Sequence, residues 1–319
     1  MRLFMKKRLL SSLFCALLFC MPSVYGTAAA QGEAERLSLI ATVFPAFDFA
    51  RQLAGNTADV SLLLPPGSES HSYEPTPQDI IAIQNADLFL YVGGESDQWV
   101  EDIVDSMGAD APVTFKLMEC VDVVEEEHTA SMEAEHDGYE EHSAEMDEHV
   151  WTSPKNAMLI VQSLAQELSK IAPQHAQVYT GNLESYLAEL SSLDEAFTEV
   201  VKNGKRDLII FGDRFPLRYF ADAYGLRYDA AFPGCSEDSE PSVRTVMSLV
   251  EEVREQQIPV VFYIEFSSRK TADILAEETG AKPLMFHSCH NVSAQEMKDG
   301  ATYMSLMRGN VEALREALN

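Results

Sequence analysis

From Leu37 onward the chain alternates short apolar runs with stretches in which apolar residues recur every three to four positions. The runs LSLIATVF, DVSLLLPP, DLFLYVGG and APVTFKLME have the length and β-branched or aromatic content of strands, and the stretches 45–54, 76–86 and 96–108 between them carry the spacing of one buried helical face. The alternation returns after Lys205, with RDLIIFGD, LRYDAAF, IPVVFYIE and AKPLMFHS as strands and with helices near 215–224, 242–256 and 268–279. Strands that alternate with helices pair in parallel, because the helix carries the chain back across the sheet face. The pattern predicts an α/β protein of two similar domains, each a parallel sheet flanked by helices. Their likeness is architectural, without a readable sequence repeat.

Between the two patterns, Pro173 opens a stretch in which Val178, Leu183, Tyr186, Leu187, Leu190, Leu193, Phe197 and Val200 form a single helical stripe, and Gly204 supplies a stop. About 30 helical residues span ~45 Å. A connector of that length lies along both domains and restrains large hinge closure. The expected organisation is an N-terminal α/β domain at 36–172, a rigid linking helix at 173–204 and a C-terminal α/β domain at 205–319.

One segment breaks the pattern. From Glu127 to Trp151 the chain holds four of its eight histidines among many carboxylates and almost no apolar residue before Val150. Without apolar residues it stays on the surface, and 125–147 is expected to be a mobile acidic loop. His128, His136 and His142 are too widely spaced for a rigid cage. Ordering some twenty residues would cost on the order of 20 kcal/mol, more than the ~10–16 kcal/mol that a structural zinc returns. The loop is expected to act as a weak cation collector tethered near a tighter site.

Composition narrows the partners. The formal charge is −28, from 51 acidic and 23 basic residues, which argues against nucleic acid and anionic membranes and leaves cations as plausible ligands. Residues 1–30 begin with Arg2, Lys6, Lys7 and Arg8, continue in an apolar run to Met21 and end in the small residues of YGTAAAQ, the organisation of a secretory signal peptide. Cys15 and Cys20 each follow a phenylalanine, where lipid attachment requires a small residue, so a lipid anchor is disfavoured. No other run approaches the ~20 apolar residues of a spanning helix. The mature chain is expected in the periplasm or another extracytoplasmic, oxidising compartment. There Cys120, Cys235 and Cys289 would form one disulfide and leave one thiol. Cys235 with Cys289 is the expected pair, since Cys120 lies in the other half; three free thiols is the alternative.

In open parallel sheets, ligands sit beyond the carboxyl ends of the strands. His71 follows the strand at 59–66, Asp213 ends that at 206–213, His287 ends that at 281–288, and His149 closes the acidic run just before the helix begun by SPKNAM. These four place one metal in the cleft between domains. Imidazoles and a carboxylate suit four-coordinate zinc, and an oxygen-richer shell would favour manganese or magnesium; three histidines point to zinc. His290 competes with His287 as the ligand from FHSCHN, and Asp213 is either a ligand or a turn aspartate paired with Arg214.

The motifs HSYEPTPQDI, ADLFLYVGGESDQWV, DEHVWTSPKNAM, EPS at 240–242, AEETGAK and YMSLMRGNVEALREAL occur in one order across nearly the whole mature chain. The chain resembles the substrate-binding proteins of bacterial zinc and manganese ABC importers, their zinc-uptake branch in particular. The resemblance implies that His71 and His149 are ligands, that the His-rich acidic loop is a zinc-specific feature, and that the partners are an inner-membrane permease and its ATPase. The pattern departs twice. Asp213 and Arg214 stand near the place of a third His or Glu ligand, and His287 stands where an aspartate is usual. A disulfide at Cys289 would hold the His287 loop in place.

The resulting expectation is a carrier that captures zinc, with manganese as the alternative cargo, performs no chemistry and works as a monomer. A zinc hydrolase would need an open coordination position and a base such as Glu265, Glu148 or Glu74, and no HExxH-like spacing appears. A surface adhesin would need a partner-binding face, which no sequence feature marks. A nucleotide site is excluded by the lack of a Walker A sequence.

Overall fold

In the computed structural model, which describes residues 36–68, 73–133, 145–236 and 240–319, the strand and helix pattern is realised almost element for element. The first half contains β1 (Leu37–Ala41), α1 (Phe44–Ala54), β2 (Ala58–Leu62), α2 (Pro77–Gln84), β3 (Leu88–Tyr91), α3 (Gln98–Met107) and β4 (Val113–Lys116). Then follow α4 (Ala130–Glu133), α5 (Pro154–Ile171) and α6 (Ala176–Asn203). The second half contains β5 (Leu208–Phe215), α7 (Arg218–Tyr224), β6 (Arg227–Pro233), α8 (Val243–Glu255), β7 (Val260–Tyr263), α9 (Lys270–Thr279), β8 (Lys282–Met285), α10 (Ala294–Lys298) and α11 (Tyr303–Leu318).

The two sheets have one topology, β2-β1-β3-β4 and β6-β5-β7-β8, with every pairing parallel. Local chemistry explains the helix starts. Pro77 follows Thr76, whose hydroxyl and the Asp79 carboxylate make a capping box. Pro154 likewise stands at the start of α5, though without a side-chain cap from Ser153, and Thr302 with Ser305 caps α11. β5 and α9 lie close because Gly212 has no side chain; a Cβ there would stand 2.6 Å from the Ala272 backbone.

The long helix starts at Ala176, after a 3-10 turn at Pro173–His175, and runs 28 residues. Its buried stripe is Tyr179, Tyr186, Leu190, Leu193, Phe197 and Val200. Val178, expected on that stripe, is exposed, and Tyr179 takes its place with its hydroxyl against that of Thr57. A single apolar core runs from the face of the first sheet through α1, α5, α6 and α11 to the face of the second. Polar contacts stitch it. The Asp48 carboxylate on α1 accepts from the Tyr303 backbone N–H of α11 at 2.8 Å, and the Tyr303 hydroxyl donates to the Trp151 carbonyl at 2.8 Å.

The acidic run is more ordered at its ends than its composition suggests. Glu125 and Met146 form an antiparallel bridge, the Glu126 N–H donates to the Glu145 carbonyl, and the Asp147 N–H donates to that of Val124. Thr129 and Ser131 both donate to the Asp229 carboxylate on β6, Glu127 pairs with Arg218, and Met132 is buried. Glu125–Glu133 and Glu145–Asp147 thus have defined partners that the expectation of a mobile loop throughout 125–147 did not include. A few hydroxyls and one methionine reach β6 and α8, contacts that charge density does not reveal. His136 and His142 lie outside the described residues.

Candidate metal centre

Loops from the carboxyl ends of the second sheet meet the end of the acidic run in a small cleft. It is lined by Arg214 and Pro216 after β5, Gly234 after β6, Ile264, Glu265 and Phe266 after β7, and Ser288, His290 and Asn291 after β8, with Ser68 and His149 from the first half. Its accessible volume is about 20 Å³, room enough for an ion or a water.

His149 is 1% exposed, and its Nδ1 lies 3.0 Å from Asp147 Oδ1. A carboxylate on one ring nitrogen sets the tautomer and orientation of a metal-binding histidine and leaves Nε2 as its coordinating atom. Asp147 is itself held, since its carbonyl accepts from the Tyr219 hydroxyl at 2.7 Å. Burial acts to lower the His149 pKa, but Asp147 and the Cys235 thiol together raise it well above the ordinary histidine value. The His149 ring stands 5.3 Å from that of His290, perpendicular to it, and Trp151 packs against both.

His290 is held by its loop. The buried Glu265 carboxylate accepts from the Ser288 N–H at 2.7 Å, the Ser288 hydroxyl at 2.6 Å and the His290 N–H at 3.2 Å. Across the cleft, the Asn291 amide donates to the carbonyls of Pro65 and Ser68, and the His290 carbonyl accepts from the Phe44 N–H. The two halves thus touch through the loop that presents His290. Cys289, with φ 64°, lies in the left-handed region and turns the chain between His287 and His290.

That turn decides which histidine faces the cleft. His287, the first choice from sequence, is buried elsewhere. Its Nδ1 accepts from the Cys289 N–H, its backbone is clamped from both sides by the Asn310 amide, and its Nε2 lies 3.8 Å from Glu296. His290, the alternative, is the cleft residue. Asp213 is likewise not a lining residue: its carboxylate accepts from the Arg214 and Ile264 N–H groups and joins β5 to the end of β7. Its neighbour Arg214 lines the cleft instead.

The Cys235–Cys289 disulfide is not formed, and all three cysteines of the described chain are free. Cys289 is buried with its thiol near the His287 carbonyl, whereas Cys235 is half-buried and its backbone N–H donates to Glu126 Oε1, so the two have different neighbours. His128 is exposed on the surface, away from the lining, and His71 lies outside the described residues. Among the described residues no three His, Cys, Asp or Glu side chains already form a metal shell. Sequence reading did not find that Glu265 holds the loop of His290.

Comparison with known proteins agrees with this geometry. The high-affinity zinc uptake system protein ZnuA of Bacillus subtilis is 33% identical over 308 residues, covering 94% of each chain. The zinc-binding lipoprotein AdcA of Streptococcus pneumoniae is 32% identical over 285 residues, and the match spans 56% of its length. The crystal structure of the Zn(II)-bound ZnuA-like domain of that AdcA superposes with a TM-score of 0.74 at 29% identity, over 89% of this chain and 99% of that one. The family described as the periplasmic zinc-uptake complex component A matches residues 39–317. With its two like-wound sheets, long helix and histidine-lined cleft, the chain belongs to that family of zinc-uptake solute-binding proteins.

Proposed function

We propose that the protein captures one zinc ion outside the cytoplasm and delivers it to the permease and ATPase of an ABC importer. Zinc is its cargo, and no bond of a substrate is made or broken. The observation that carries the reading is the pair of perpendicular imidazoles, His149 and His290, 5.3 Å apart in a cleft with room for an ion. They come from opposite halves of the chain, so an ion between them ties those halves together. His71, three residues beyond the lining residue Ser68 in sequence, is the further histidine that the family resemblance supplies. The named zinc uptake and zinc-binding roles of the relatives support the choice of metal.

The leader at 1–30 supports export, and among the described residues no helix is long and apolar enough to cross a membrane. A hydrolase reading gains nothing from the cleft. Glu265, the candidate base, has its oxygens engaged by the Ser288 and His290 loop.

Calorimetric titration of the metal-free protein tests the proposal. One tight zinc equivalent is expected, weakened at least roughly tenfold, ~1.4 kcal/mol, in His149→Ala and in His290→Ala. Unchanged affinity in both variants would reject the cleft as the binding site.

A further inference from the structure

Among the residues that line the cleft, Phe266 alone is exposed, at 45%, and the others are buried or half-buried. A side chain that belongs both to the wall of a cleft and to the molecular surface stands at its mouth. A phenyl ring is not a zinc donor, so Phe266 adds nothing to coordination. It is instead an apolar obstacle. A dication passes an apolar wall only by giving up hydration at a large cost, and apolar constrictions close ion paths by excluding water.

The backbone at this position is strained. Phe266 has φ 59° and Arg269 φ 61°, so both ends of the turn that leads from β7 into α9 lie in the left-handed region. For a bulky side chain that conformation is an outlier, and strain of this kind gathers at ligand clamps and switching segments. Glycine would adopt it without cost. The far end of the turn is anchored. The Arg269 guanidinium lies 4.5 Å from the centre of the Tyr263 ring and pairs with Asp273 at 3.1 Å, and the Arg269 N–H donates to the Ser267 hydroxyl at 3.0 Å. The near end is joined to the site itself, since Glu265, one residue earlier, is the carboxylate that holds the loop of His290. Phe266 is thus a strained pivot between an anchored turn and a histidine-bearing loop.

Resting on the zinc-capture reading, we propose that Phe266 is the gate of the cleft: its ring bars the path between the site and solvent, and rotation about its strained backbone opens that path. Phe266 sets how fast zinc enters and leaves, while His149 and His290 set how tightly it is held. The two functions are linked through Glu265. Rotation at Phe266 shifts the neighbouring carboxylate, which loosens the His290 loop as the path clears. A carrier that must hold an ion and then surrender it gains from such a coupling, because exit and weakened grip come in one movement. Gating of this kind governs the rates of many binding sites.

Stopped-flow mixing of the chain lacking the leader at 1–30 tests the gate, with uptake followed on mixing with zinc and release on mixing the zinc-loaded protein with an excess of chelating dye. In Phe266→Ala both rate constants should rise at least roughly tenfold, so that Kd moves less than either. His149→Ala should instead speed release and weaken Kd together. Phe266→Trp retains the bulk and should keep the slow exchange of wild type. Phe266→Gly removes ring and strain at once; it should exchange as fast as Phe266→Ala and unfold at a higher urea concentration than that variant. Wild-type rates in Phe266→Ala would overturn the gate and leave zinc capture standing. So would faster release matched by an equal loss of affinity, which would make Phe266 part of the grip, or a glycine variant less stable than the alanine one, which would remove the strain on which the gate turns. Absence of tight zinc binding by the wild type would instead overturn the capture reading.

Discussion

Asp147 shows how much of this site is decided by single side chains. Its carboxylate accepts both the backbone N–H and Nδ1 of His149, which fixes the ring before any ion arrives. Removing such a partner typically costs a metal site ~10–100-fold in affinity. Asp147→Asn is expected to weaken zinc binding in that range, read by competition with a chelating dye, without loss of the fold. A second carboxylate nearby makes a pH prediction. Asp97 accepts the N–H groups of Val92 and Gly93 in a buried turn, and burial raises its pKa to about 6. The raised value means that the folded state holds this proton more tightly than the unfolded chain. Its contribution to stability is whole below the unfolded value of 3.8 and is lost as pH rises through about 6. Asp97→Asn keeps an acceptor and carries no charge. The stability of this variant relative to wild type should therefore increase between pH 4 and pH 8, by on the order of 2–3 kcal/mol in urea unfolding.

At the scale of elements, close packing sets the cleft. α9 lies against β5 at Gly212, where a methyl group meets backbone rather than a flexible side chain. Gly212→Ala should cost ~1–3 kcal/mol by overpacking, measured by chemical denaturation. α11 reaches back to α1 and to the 3-10 turn at Val150–Thr152 through Tyr303. Tyr303→Phe leaves the buried Trp151 carbonyl without that donor and is expected to destabilise the protein by ~1–3 kcal/mol. Because Trp151 packs on both His149 and His290, the same change should loosen zinc binding modestly. The strands and the long helix were legible from sequence because a period of two or of 3.6 is a local property of the chain. The contacts at the ends of the acidic run were not, because Thr129 and Ser131 stand 100 and 98 residues from Asp229 and their contact leaves no local pattern.

For the whole molecule, binding between halves couples metal to stability. An ion bound only by the folded state at a hundred times its Kd adds ~2.7 kcal/mol, and the melting temperature should rise with zinc in wild type and rise less in His149→Ala at the same zinc concentration. The weak collector is testable separately. Deleting 134–144 removes His136 and His142 but spares the described ends of the run. It should leave the tight equivalent intact and lower the number of weak zinc equivalents seen by equilibrium dialysis. Loss of the tight equivalent would assign the run a direct place in the shell.

Periodicity and turn chemistry in the amino-acid sequence determined the eight strands, the paired sheets, the long connector and the end of the acidic run at a cleft histidine, because each depends on residues that are neighbours along the chain. Only the tertiary structure decided that His290 and not His287 enters the cleft, that Asp213 serves the backbone, and that Cys235 is fastened to Glu126 and stays apart from Cys289. The reason lies in one left-handed residue at Cys289 and one close approach at Gly234. Each redirects a whole loop, and neither has a period from which its direction can be read.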